Sequence, residues 1–305
     1  MSDSDVPRVI ENVRTLTNLA DVTGDHPLAR FADTVRARLV SADFPCTFVK
    51  GAVNKHSLYC AHVDPADETC VPDAHALIGQ YLERVNACPT EAEAAMAVLL
   101  LDVAVAAGTG ADAVRDLAWN LLRQLHEYDV SAGHTWPASV PTDIGDISWA
   151  YCLHGVRLFV NMTSSALVLR HSRDLGMRLV LVIQPTSGLH YIAPFDESGD
   201  RIRGQIRNRI DHYDAIPHSP ALSNAGSEGN SDWRQFWLGD SNDGSSWTPP
   251  PIPSRSCPYR NSAPTPFFRD DSHTDASEVG PGQGVAPDGR SCADHVDREK
   301  ATRTV

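Results

Sequence analysis

Apolar positions in the first part of the chain recur at helical spacing. Val9, Ile10, Val13, Leu16 and Leu19, then Leu28 to Val40 after Asp25-His26-Pro27, predict helix over residues 8–42. Phe44 to Lys50 and His56 to Val63 read as strands, separated by the turn-like Gly51-Ala52-Val53-Asn54. His75 to Cys88 places Leu77, Ile78, Tyr81, Leu82 and Val85 on one helical face. Ala95 to Ala107 has a leucine- and valine-rich centre, read as a buried strand after a helical turn. Asp112 to Tyr128 carries the stripe Val114, Leu117, Ala118, Leu121, Leu122 and Leu125 and predicts a helix. Trp149 to Leu153 and Arg157 to Asn161 form a predicted hairpin around His154-Gly155. Arg178 to Gln184 is an apolar strand ended by Pro185, and Ile202 to Tyr213 is an arginine-rich helix.

Hairpin strands mixed with several helices define an α+β class, with helices packed on a central mixed or antiparallel sheet. Three stretches are expected: an N-terminal helical segment (1–42), a main body (43–260) and a C-terminal tail (261–305). Ser, Asp, Gly and Pro dominate from about Asp240 onward, so the tail cannot bury enough apolar surface to offset ordering entropy and is expected to be disordered.

Composition narrows the partners. With 39 acidic and 26 basic residues the formal net charge is −13. Such a chain is a poor nucleic-acid binder, because phosphate contacts supply most of that affinity, and an anionic membrane repels it. A cationic small substrate is compatible with the charge, although solubility alone also accounts for it. Met1-Ser2-Asp3-Ser4-Asp5 is acidic and leads into no apolar run, and Ala94 to Gly108 is too short to span a bilayer. The expectation is a soluble, cytoplasmic protein. Seven cysteines, at 46, 60, 70, 88, 152, 257 and 292, form no Cys-x-x-Cys, so they read as reduced thiols rather than as structural zinc ligands.

Several motifs carry candidate chemistry. Gly108-Thr109-Gly110-Ala111-Asp112-Ala113 follows an apolar run and opens a helix, as a dinucleotide-binding turn does, with Glu127 near the spacing of a ribose-binding acid. Its third glycine is replaced, so a plain strand-to-helix turn is the stronger reading and a nucleotide-dependent enzyme the alternative. Thirteen histidines form no His-Glu-x-x-His. His56 and His62 could share a strand face, but nothing completes a metal set around them. No Gly-x-Ser-x-Gly supports a serine nucleophile. Arg201, Arg203, Arg207 and Arg209 cluster in sequence, with Arg170 and Arg173 before them, and planar guanidinium forks suit carboxylates, although a solvated helix face would look the same. Trp119, Trp136, Trp149, Trp233, Trp237 and Trp247 could close a core or wall a planar ligand.

The order of short segments resembles the YqcI/YcgG family. The matching pieces begin with Phe44-Pro45-Cys46, Trp119, Leu125-His126, Trp136-Pro137, Val140-Pro141-Thr142 and Trp149-Ala150-Tyr151-Cys152. They continue with Phe159-Val160-Asn161, Arg170-His171-Ser172-Arg173, Gln184-Pro185, Ile206-Arg207-Asn208-Arg209 and Tyr213-Asp214. His218-Ser219-Pro220, Trp233-Arg234-Gln235-Phe236 and Cys257-Pro258 complete the set. In one respect the chain departs from its relatives: Ser165-Ala166-Leu167 stands where many carry Pro-Ala-His, so that histidine cannot be an iron ligand here.

Some members of this family are haem-dependent oxygenases that hydroxylate guanidine nitrogens. The resemblance implies non-covalent haem b, since no Cys-x-x-Cys-His is present for covalent attachment. It also implies L-arginine as the leading guanidine substrate, Nω-hydroxy-L-arginine as product and a place in D-cycloserine-type antibiotic biosynthesis. A thiolate or an imidazole would hold the iron. Cys46 and Cys152 are the thiolate candidates, and His126 and His218 the imidazole candidates. Arg170, Arg173, Arg207 and Arg209 are candidates to pair the haem propionates. Glu127, Asp143 and Asp146 are candidates to hold the guanidinium. Monooxygenation consumes two electrons, so an external donor, as a separate redox partner, or peroxide is expected. A non-catalytic haem-binding or sensor protein is the alternative from another class.

Overall fold

The computed structural model describes residues 13–222 and 231–243, together with Pro249 and Ile252. Cys257, Cys292, Trp247 and the predicted tail lie outside the described residues.

Six strands form one mixed sheet: β1 (Val13–Asn18), β2 (Leu58–Val63), β3 (Val98–Val103), β4 (Tyr151–Leu153), β5 (Val156–Thr163) and β6 (Val180–Pro185), in the order β1-β2-β3-β6-β5-β4. Only β2 and β3 run parallel; the other neighbours are antiparallel. The parallel pair needs a crossover, supplied by α3 (Cys70–Asn86) and α4 (Glu91–Met96). The class is therefore α+β, as the sequence predicts.

Side chains alternate between two faces because the strand period is two. Ala61, Val63, Leu99, Leu101, Val160, Met162, Leu181 and Ile183 face α3 and α5 (Ala111–Ser131), which contribute Leu77, Ile78, Tyr81, Trp119, Leu122 and Leu125. Leu58, Cys60, Leu100 and Val180 face the other way, onto Phe31, Ala32, Val35 and Leu39 of α1 (Ala29–Leu39) and Ala52 of α2 (Thr47–Asn54). A helical layer thus covers each face. Buried tyrosines satisfy their hydroxyls on backbone: Tyr81 Oη donates to Ala97 O (2.8 Å) and Tyr151 Oη to Leu122 O (2.8 Å). Past β6 come α6 (Thr186–Ile192), α7 (Glu197–Tyr213) and α8 (Asp232–Phe236).

Two predicted elements are corrected. Within the predicted helix over 8–42, residues 8–12 lie outside the described residues, Val13–Asn18 is the strand β1, which pairs with β2, Leu19–Asp21 is a 3-10 turn, and Ala29–Leu39 is α-helical as expected. The predicted strand from Phe44 to Lys50 is instead the approach to α2, which starts after Cys46 and buries Ala52 against the second core, with Val49 and Val53 packed beside it. Val49, Ala52 and Val53 lie three and four apart, so helical geometry puts them on one face.

Candidate functional site

The predicted site residues fall into two neighbourhoods. The first is built around α7 and the turn at 170–174. Arg209 leaves α7 and donates to Phe44 O (2.8 Å), Pro45 O (3.0 Å) and Ala42 O (3.3 Å), fixing the strand of backbone that delivers Cys46. Cys46 is the N-cap residue of α2; its side chain makes no capping hydrogen bond, but the backbone N–H groups of Phe48 and Val49 are near enough to bear on its sulfur. Burial pushes the thiol above its ordinary value; those two amides and the Arg209 and Arg173 charges pull the other way.

Arg173 is buried and donates to Asn161 Oδ1 on β5. Burial, then the neighbouring Arg170 charge, lowers its guanidinium to about 9, with Asp214 opposing. Arg170 is 1% exposed and donates to Gly239 O (2.7 Å), Asn242 Oδ1 (2.8 Å) and Pro217 O (3.3 Å). Asp214 sits between this pair of cations and accepts from Ser172 N (2.6 Å) and Oγ (2.8 Å). His218 follows: Asp211 Oδ1 accepts its backbone N–H (2.6 Å), and its Nδ1 lies 2.9 Å from both carboxylate oxygens. Burial opposes ionisation of Asp211, but the His218 hydrogen bonds and charge outweigh it and hold the carboxyl below its usual range. Arg207 donates to Leu222 O (3.1 Å), a little further along the same loop.

The second neighbourhood surrounds Trp136. His126, buried on α5, meets that indole edge-on with centroids 5.2 Å apart. Cys152 on β4 packs with Val140, Ala150 and Trp136, and its thiol donates to Ala150 O (3.5 Å). The loop from 132 to 150 is pinned by two indoles, Trp136 Nε1 to Val140 O (2.9 Å) and Trp233 Nε1 to Ile144 O (3.0 Å). The aromatic ladder Trp119–Phe236–Phe159 joins α5, α8 and β5, with centroids 5.6 and 5.4 Å apart.

The guanidinium-binding acids are corrected. Glu127 pairs with Arg123 (2.6 Å) on the exposed side of α5, while Asp143 and Asp146 accept the N–H groups of Gly145 and Ser148 in tight turns. Asp232, which sequence reasoning missed, has the right character. At the start of α8 its carboxyl takes up no hydrogen bond or ion pair among the described residues. Burial raises it above the ordinary carboxylate value, with Arg157 opposing. The Trp233-Arg234-Gln235-Phe236 segment beside it was the only sequence signal.

The dinucleotide reading also changes. Gly110 caps α5 directly after β3, but Glu127 lies on α5 itself instead of closing a second strand, where a ribose acid belongs. An open cleft of about 560 Å³ adjoins that turn, lined by Gly110 to Ala113, Trp237, Gly239, Asp240 and Ser241. Asp112 and Asp240 make it a poor phosphate site, and none of the predicted iron-ligand or propionate residues lines it.

His56 lies just before β2 and cannot share its face with His62, which instead donates from Nδ1 to Asp102 (2.7 Å) within the core. A different set of histidines converges elsewhere. His75, Asp129, His134 and His154 place one ligand atom each within 4.8 Å of one another.

Donor chemistry decides which residues fit a haem. Cys46 is the thiol beside guanidinium charge, from Arg209 and Arg173, which favours the thiolate that iron would take, against burial, the larger effect, which favours the thiol. His218 fits an imidazole ligand, because a carboxylate fixes Nδ1 and leaves Nε2 for iron. Arg170 and Arg173 do not fit as propionate clamps, because the protein's own acceptors occupy them. No helix among the described residues is long and apolar enough to cross a membrane.

The class of protein follows from the matched segments: the YqcI/YcgG family profile matches residues 31–251, and the chain belongs to that family. Among individual relatives, it is 31% identical over 225 residues to "Putative N(omega)-hydroxy-L-arginine synthase DcsA" of Streptomyces lavendulae, spanning 73% of this chain and 82% of that one. Over shorter stretches it is 31% identical to uncharacterized protein YqcI and 27% identical to uncharacterized protein YcgG, both of Bacillus subtilis strain 168, covering 47% and 49% of them. No solved structure matches the chain.

Proposed function

We propose that this protein is a haem-dependent monooxygenase that hydroxylates a guanidine nitrogen, with L-arginine as substrate. The observation that carries the reading is the match over 82% of a relative whose printed name is "Putative N(omega)-hydroxy-L-arginine synthase DcsA". Bound haem would activate dioxygen with two electrons from a separate donor, since a free guanidinium is unreactive toward oxygen.

The chain's own residues supply binding and orientation. Cys46 or His218 would hold the iron. Asp232 would hold the substrate cation: a desolvated carboxyl gains most from a planar guanidinium fork. Arg209 and Arg173 keep the Cys46 neighbourhood in place without touching the substrate.

The absorption spectrum of protein expressed with haem tests the cofactor. A Soret band is expected, lost in either Cys46→Ser or His218→Ala. A folded protein that takes up no pigment overturns the proposal. Retention of the band in both variants removes these two residues as ligands.

A further inference from the structure

His75, Asp129, His134 and His154 come from four places in the chain. His75 and Asp129 are buried on α3 and α5. His134 follows the C-terminus of α5, where Gly133 (φ +92°) turns the chain back and the His134 N–H donates to Asp129 O (3.1 Å). His154 occupies the β4–β5 turn with φ +53°, a left-handed conformation uncommon for any residue but glycine.

The arrangement is built around His154. Its backbone N–H donates to Asp129 Oδ1 (3.0 Å), and its Nε2 donates to His75 O (3.0 Å). A carbonyl can only accept, so Nε2 carries the proton and Nδ1 keeps its lone pair. The His154 ring stacks on His75 at 4.0 Å and meets His134 at 4.5 Å, so all three imidazoles crowd one spot. His75 Nε2 donates to Asp129 Oδ1 (2.7 Å).

Room for the ring is made by Gly79. A Cβ there would lie 3.0 Å from His154 Cε1. A mid-helix glycine costs about 0.5–1 kcal/mol relative to alanine, so the cradle is maintained against helix propensity.

A buried Asp–His ion pair would explain two of these residues. It does not explain a third and fourth histidine-bearing segment converging on the same point. From this geometry we infer a second site, distinct from any haem, in which His75, His134 and His154 with Asp129 bind one divalent transition metal of zinc type. Three nitrogens and one oxygen form a closed four-coordinate set. Tetrahedral bonds of about 2.0–2.1 Å put ligand atoms roughly 3.3 Å apart. The four atoms, now within 4.8 Å of one another, would need to close by up to about 1.5 Å on loading. The metal would staple α3, α5, the following loop and the β4–β5 hairpin.

Co²⁺ is the probe. Full-length protein is stripped with a chelator, dialysed against Co²⁺, and read by metal content and visible d–d absorption, in haem-free and haem-supplied preparations. One equivalent with a tetrahedral spectrum, displaced by Zn²⁺, is expected in both preparations. Binding should fall at least tenfold in His134→Ala, whose half-buried side chain is the least costly of the set to remove, and in Gly79→Ala, which keeps every ligand but crowds His154. Circular dichroism checks that both variants fold. Wild type that binds no more Co²⁺ than His134→Ala overturns the site, and so does an octahedral spectrum unchanged in both variants. The result is independent of whether haem binds.

Discussion

At Asp232 the cost of burial and the proposed role meet in one side chain. Its folded carboxyl titrates above its unfolded value, so the native state binds the proton more tightly, and stability falls as pH rises from the ordinary carboxylate range through the raised value. Asp232→Asn removes that loss, and its melting temperature at neutral pH should exceed that of wild type. The same change deletes a charged partner of the guanidinium, worth about 1.5–3 kcal/mol, so KM for L-arginine should rise roughly 10- to 100-fold. A variant that melts higher with unchanged KM would keep the electrostatics and discard the substrate role. Asp232 was not legible in the sequence because its distinction is environmental. A single acid before Trp233 looks like any helix-starting residue until its burial is known.

The turn at 170–174 and α7 depend on one another through Asp214. That carboxylate is fully buried, accepts from Ser172 and lies 3.9 Å from Arg170, with Arg173 close by. Asp214→Asn takes from buried Arg173 and Arg170 the carboxylate they share, leaving Arg170 with Asp240 alone, and about 3–5 kcal/mol of stability should be lost, read by denaturant unfolding. A loss under about 1 kcal/mol would show that the carbonyl acceptors alone neutralise the pair.

Legibility at this scale followed the strength of the pattern. The stripe over Val114 to Leu125 announced α5 because a long amphipathic period fits a helix alone, whereas the short apolar run of β3 fits strand or buried helix by period and was read as strand on its β-branched and leucine-rich centre. β1 was misread because Val13, Leu16 and Leu19 suit a helix, and only pairing with β2, 40 residues on, makes them a strand. The α2 region was misread because Phe44 and Phe48 favour strands locally, whereas Cys46 and the following turn commit it to helix.

Across the whole molecule, the fold class and family were readable, but the grouping of side chains was not. Arg173, Arg209 and Cys46 are far apart in sequence, and their convergence is a property of the sheet order. The same holds for His75, His134 and His154, whose spacings match no local metal motif. Net charge acts at this scale too. With a formal charge of −13, a cationic substrate is attracted over the Debye length, so KM for L-arginine should rise by a small factor from low to high salt. A neutral arginine analogue should show no such dependence. Haem bound to the native state alone stabilises by mass action, about 4 kcal/mol at a thousandfold excess over Kd, so reconstitution should raise the melting temperature.

The most direct test of the account is turnover under isotopically labelled dioxygen. Haem-loaded protein, L-arginine, a reducing partner and ¹⁸O₂ should yield hydroxyarginine carrying one labelled oxygen on the guanidine group, seen by mass spectrometry. Fully loaded, reducible protein that returns arginine unchanged would contradict it.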